Sequence, residues 1–209
     1  TAGGLGCVAS LRATVSPSVS GLVRSSRTRS GASASINLTS AGDITVEGNT
    51  SGGSTPALAL IAAGNGNANT PGSRINIASS AGDVRLKADN AVINTGSGSF
   101  RALYLDASGD FSNIRVNSAS GNLVLEGTSA SGRGVDIAPS GRGAAIDLGS
   151  DSGDVLISGT SSNSWGGYGI FLNSTGSSRG VAITTGTGNI TLRGESVGTS
   201  DAIALGGSG

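Results

Sequence analysis

Residues 35–48 read S-I-N-L-T-S-A-G-D-I-T-V-E-G. Two apolar-x-apolar pairs, Ile36/Leu38 and Ile44/Val46, flank a small-residue corner that ends in Gly42-Asp43. The phrase returns four times, as Ile75/Ile77 with Val84/Leu86, Ile114/Val116 with Leu123/Leu125, Ile146/Leu148 with Val155/Ile157, and Val181/Ile183 with Ile190/Leu192. Its starts, Ile36, Ile75, Ile114, Ile146 and Val181, are 39, 39, 32 and 35 residues apart. A recurrence at this interval marks a repeat architecture before anything else.

A third apolar-x-apolar pair completes each unit: Leu58/Leu60, Leu103/Leu105, Val135/Ile137, Ile170/Leu172 and Ile203/Leu205. Alternation at period two is the mark of a strand with one buried face, and no helical spacing interrupts it. The step from first to second strand is 8 residues in the first unit and 9 in the others, whereas the step from second to third runs from 12 to 19. A coil tolerates that asymmetry. A longer surface loop adds little closure entropy, but a one-residue slip turns a strand's apolar face outward.

The spacing therefore predicts an all-β parallel β-helix, a solenoid with three short strands per turn and about five to six turns. Units start near 36, 75, 114, 146 and 181. Residues 1–35 read as an irregular first turn or cap with a basic Ser/Arg loop, and 36–209 as the repeats. Each unit would bury six aliphatic side chains, worth about 9–18 kcal/mol before conformational entropy is set against it. An isolated unit should not fold, because each turn is covered only by its neighbours.

The corner has its own logic. Glycine is expected to supply a positive φ for a tight bend, and the Asp or Asn after it to bond nearby backbone amides. Stacking then makes Asp43, Asp83, Asn122, Asp154 and Asn189 one structural column.

Composition fits this reading. Glycine accounts for 37 of 209 residues, aromatics for 3% and charged residues for 12%, so burial must come from many small aliphatic side chains. Net charge is zero, with +4 in the first 35 residues and −4 in the rest. Nucleic-acid binding needs a basic surface, and none is expected. The single cysteine, Cys7, excludes an intrachain disulfide; it is a buried or free thiol, or pairs between chains. The absence of Met implies a processed chain or a piece of a longer one. No apolar run approaches the roughly 20 residues of a membrane span, so no membrane insertion is expected.

The recurring G-[DN]-[ILV]-x-[LVI] phrase, as in Gly42-Asp43-Ile44-Thr45-Val46 and Gly188-Asn189-Ile190-Thr191-Leu192, resembles the repeat region of filamentous-haemagglutinin-like adhesins, covering residues 36–205. The resemblance implies a right-handed β-helical shaft. It also implies a large bacterial surface protein exported by two-partner secretion and displayed outside the cell. The family's N-terminal export motifs are not found here, so the resemblance is to a shaft segment.

Candidate contact residues follow from the middle positions of the strands, expected to face solvent. On the first strand Arg115 and Asp147 fall on adjacent turns and predict a surface ion pair. On the second, Val124 and Leu156 form an apolar pair, covered by a loop or by a partner. On the third the rank is Ala59, Tyr104, Asp136, Phe171 and Ala202. Tyr104, Asp136 and Phe171, with Trp165 and Tyr168 from the nearby loop, could stack on and bond a saccharide; alternatively, Trp165 and Tyr168 fold back over the coil. Arg24, Arg27 and Arg29 could contact a polyanion, or simply be solvated. Asp columns could hold calcium, but the tandem nonapeptide repeats that bind it are absent, so no metal and no cofactor is expected.

Catalysis is not expected either. There is no His for a Ser–His or Cys–His pair, Lys87 is the one lysine, and the acids Asp106, Asp110, Asp136 and Asp147 are scattered. The leading expectation is a non-catalytic extracellular adhesin or biofilm-matrix fibre. A self-assembling filament subunit is the first alternative, and a β-helical polysaccharide-binding or -degrading protein the second. Partners would be carbohydrate or further copies of the chain.

Overall fold

A computed structural model describes residues 9–12, 18–20, 23–25, 35–50, 56–67, 69–91, 100–163 and 167–207. Its strands come in threes. The first coil has β1 (Ala9–Arg12), β2 (Ser18–Ser20) and β3 (Val23–Ser25); the second β4 (Ser35–Ser40), β5 (Ile44–Thr50) and β6 (Leu58–Ala62). The third coil has β7 (Arg74–Ser79), β8 (Val84–Asn90) and β9 (Phe100–Ala107); the fourth β10 (Asn113–Ser118), β11 (Leu123–Ser129) and β12 (Gly132–Ile137). The fifth has β13 (Ala145–Ser150), β14 (Val155–Ser161) and β15 (Ile170–Ser174); the sixth β16 (Gly180–Thr185), β17 (Ile190–Ser196) and β18 (Ile203–Gly207).

Every third strand joins the same sheet, which gives three six-stranded parallel sheets: β1-β4-β7-β10-β13-β16, β2-β5-β8-β11-β14-β17 and β3-β6-β9-β12-β15-β18. No helix occurs among the described residues. The chain is an all-β parallel β-solenoid with three strands per turn. Its register is the one the repeats predict: Ile36, Ile75, Ile114, Ile146 and Val181 are successive partners. So are Leu58, Leu103, Val135, Ile170 and Ile203.

The core is the set of inward positions. In the fourth coil Ile114, Val116, Leu123, Leu125, Val135 and Ile137 are all fully buried. Burial fades in the sixth coil, the last one described, where Ile190 is 46% and Leu205 71% exposed. Leu125→Ala is expected to cost about 2–5 kcal/mol. Leu205→Ala should stay within about 0.5 kcal/mol. Equal shifts of the two variants in urea unfolding would contradict this placement.

The first corner departs from expectation. None of Gly42, Gly82, Gly121, Gly153 or Gly188 has a positive φ; the described glycines that do are Gly143, Gly176 and Gly180. Glycine is needed there for close approach. A Cβ on Gly121 would lie 2.5 Å from the Gly82 carbonyl oxygen and 2.6 Å from the Asp83 nitrogen of the coil below.

The Asx column also bonds between coils rather than locally. The amide of Asp83 donates to Asp43 Oδ1 at 2.9 Å, that of Asn122 to Asp83 Oδ1 at 2.7 Å, that of Asp154 to Asn122 Oδ1 at 2.9 Å and that of Asn189 to Asp154 Oδ1 at 2.7 Å. In Asp43, Asp83 and Asp154 one carboxylate oxygen, Oδ1, thus accepts a backbone amide of the next coil.

A second ladder runs beside the first. The hydroxyls of Ser79, Ser118, Ser150 and Thr185 donate to the carbonyls of Gly42, Gly82, Gly121 and Gly153 on the preceding coil, at 2.7–2.8 Å. Each also accepts the amide of the glycine three residues on in its own coil. Side-chain hydroxyls, buried at Ser79, Ser118 and Ser150 and half-buried at Thr185, thus satisfy corner backbone groups, at roughly 0.5–1.5 kcal/mol per bond.

Candidate functional site

The outer face of the third sheet carries the residues singled out for saccharide contact, but Asp136 does not reach solvent there. It is fully buried. Its Oδ2 accepts from Arg101 Nε and, at 2.7 Å, from Arg133 Nη1. The two arginines are in register on adjacent coils, and each lies on an aromatic ring. Arg101 sits 4.2 Å from the Tyr104 ring centre and Arg133 3.8 Å from that of Phe171. Tyr168 packs against Phe171 with ring centres 5.0 Å apart.

The result is a layered stack in which cation–π contact and ion pairing cover the outer positions of β9, β12 and β15. Tyr104, Asp136, Phe171 and Tyr168 are therefore brought together, but with ring faces against guanidinium groups. The fifth member of the rank is Ala204, in register with Phe171, rather than Ala202. Trp165, Arg27, Arg29 and Cys7 lie outside the described residues, as does the side chain of Arg24.

Asp106 borders this stack. Burial raises its carboxyl above the usual range, while hydrogen bonds from the Ser108 and Tyr104 hydroxyls pull the other way. Burial first, and then the Asp106 charge, raises the Tyr104 phenol as well. The folded carboxyl thus holds its proton to a higher pH than the unfolded one. Its contribution to stability is complete below the unfolded value, about pH 3.9, and is lost as pH rises through the folded value. Asp106→Asn should lose less stability than the parent as pH rises above about 4 in thermal melts. An identical slope for both would contradict the assignment.

On the first sheet the expected Arg115–Asp147 ion pair is not formed. Asp147 Oδ2 instead accepts from Asn113 Nδ2 at 2.8 Å, because Asn113 stands on the same outer face two residues before Arg115. On the second sheet Val124 is buried and Leu156 half-buried. Arg85, in register with Val124, reaches diagonally to Glu126 at 3.9 Å.

Sequence reasoning missed an open cleft of about 780 Å³ on the outer face of the first sheet. Arg74, Arg115 and Arg179 line it, and no carboxylate does. None of the three makes an ion pair among the described residues. One rim is the turn at Asn67, whose Oδ1 accepts the amides of Asn69 and Thr70, both at 2.9 Å.

The other rim is Phe111, a non-glycine residue held at φ 52°. Its amide donates to the Arg142 carbonyl at 2.7 Å, and its own carbonyl accepts from Gly72 at 2.9 Å. Left-handed backbone at a bulky residue costs about 1–3 kcal/mol and persists only where the surroundings impose it. Next to it, in a residue that lines the same cleft, the buried hydroxyl of Ser112 has no hydrogen-bond partner among the described residues. The signal available in the sequence was weak: three arginines on separate coils, far apart along the chain.

No family model, curated protein or solved structure matches the chain.

Proposed function

We propose that this chain is a non-catalytic structural shaft, a β-helical segment of a large bacterial surface adhesin or matrix fibre displayed outside the cell. The observation that carries the reading is the unbroken repetition along the stack. The same six aliphatic positions and the same two corner ladders recur from coil to coil. Such a body transmits length and stiffness, and its parts need no chemistry. The repeat phrase and its resemblance to the shafts of filamentous-haemagglutinin-like adhesins supply the surface location and the export route.

Antibody labelling of intact cells tests location: the shaft reading expects labelling without permeabilisation, and labelling only after lysis would overturn it. Incubation with a polysaccharide panel tests the enzymatic alternative: the reading expects no new reducing ends.

A further inference from the structure

We infer that the cleft on the first sheet binds a linear anionic polysaccharide through Arg74, Arg115 and Arg179. The three guanidinium groups have no carboxylate among the cleft residues and no ion pair among the described ones. Arginine presents a planar fork of donors that fits carboxylate or sulfate oxygens. Asp147, in register beside Arg115 on the same face, is held by Asn113, so the three guanidinium groups, none ion-paired among the described residues, leave a local positive field that a polyanion would neutralise.

The three are spread along the solenoid axis. Arg74 belongs to β7, Arg115 to β10, and Arg179 immediately precedes β16. Three coil steps separate the first from the last, about 14 Å at the ~4.8 Å strand spacing. An extended chain lying along the axis meets them in turn, whereas a compact anion does not span all three.

The remaining lining suits sugar hydroxyls. Asn37 and Asn76 are in register on adjacent coils, and their amides both donate and accept. Ser112 lines the cleft as well, with its side chain buried. The pinned left-handed backbone at Phe111 fixes the wall beside it. Phe111 is the single aromatic among the described cleft residues, and Arg142 stands 5.4 Å from its ring centre. Successive nucleobases therefore have no stacking platform here, which disfavours single-stranded nucleic acid.

The inference rests on the non-catalytic reading only in that the ligand is held and not cut. The test titrates the full chain with four fluorescent probes: an oligouronate, a sulfated oligosaccharide, an uncharged oligosaccharide of equal length and a single-stranded DNA oligomer. One or both acidic saccharides are expected to bind, more weakly as salt rises, and the preferred one identifies carboxylate or sulfate as the recognised group. Arg115→Ala and Arg74→Ala should each weaken binding roughly tenfold.

Arg193→Ala, on another face and paired to Glu195 at 2.8 Å, should leave binding unchanged. Arg74 and Arg115 are exposed, so circular dichroism should show the variants folded. Absence of acidic-saccharide binding by the folded chain, binding insensitive to both arginine variants, or preference for DNA would overturn the site and leave the shaft reading standing. Binding followed by cleavage would overturn the shaft reading and leave the site.

Discussion

Gly121→Ala is expected to destabilise the solenoid by about 3 kcal/mol or more, although it adds one methyl group to a residue with an ordinary backbone angle. The methyl has no space to enter. It would meet the Gly82 carbonyl at 2.5 Å and the Asp83 nitrogen at 2.6 Å, and both belong to the backbone of the coil below. Relief requires prising two coils apart at a corner where hydroxyl and Asx ladders hold them together. Overpacking of this kind costs about 1–3 kcal/mol where side chains can yield, and more where backbone must.

Gly42→Ala is the control. The same Gly-Asx phrase surrounds it, and nothing among the described residues lies within 4 Å of its added Cβ, so against the described residues the change is expected to be milder than Gly121→Ala. If glycine served instead to supply a positive φ, both variants would suffer alike. Chemical denaturation of the pair distinguishes the two explanations.

Asp136→Ala is expected to cost about 3–5 kcal/mol, the usual penalty for removing one partner of a buried ionic cluster. The carboxylate is fully buried, and the Arg101 and Arg133 side chains are 26% and 23% exposed. Without Asp136 two guanidinium groups on adjacent coils face each other with no counterion between them. Their aromatic partners Tyr104 and Phe171 keep them from moving freely into water.

Replacing the whole cluster, with Arg101→Met, Arg133→Met and Asp136→Leu together, should recover most of the loss, because the desolvation of charge disappears along with the ion pairs. Equal stability of Asp136→Ala and the parent would show that the stack contributes nothing.

The parts of the fold written in the sequence are those governed by alternation. Ile75, Ile114 and Ile146 announce their register because each is followed two residues later by another aliphatic, and period two has only one inward face. Ser79, Ser118 and Ser150 continue the same alternation inward, yet a small polar residue before a glycine reads as loop. Its role appears only when the carbonyl of the previous coil is in place beneath its hydroxyl.

The role of Gly121 was hidden for a related reason. The backbone that excludes a Cβ there lies 39 residues earlier at Gly82, and a turn residue examined locally suggests a φ requirement instead. Register alone puts Asp147 opposite Arg115, but it does not reveal that Asn113, on the same face, takes the carboxylate. That one hydrogen bond leaves Arg115 unpaired in the cleft. The cleft depends on arginines from three coils and on the Asn67 turn, which belongs to the connections whose length varies between units.

Distances along the stack test the central claim most directly. With Cys7 replaced by Ser, spin labels at positions 37 and 182 should lie four coil steps apart, because Asn37, Asn76, Arg115, Asp147 and Ala182 are successive partners. Labels at positions 45 and 191 on the second sheet span the same four steps. Both pairs should give pulsed electron-resonance distances centred near 19 Å between attachment points, four times the ~4.8 Å strand spacing. Two widely different distances, or either one far beyond that value, would contradict the stacked coil.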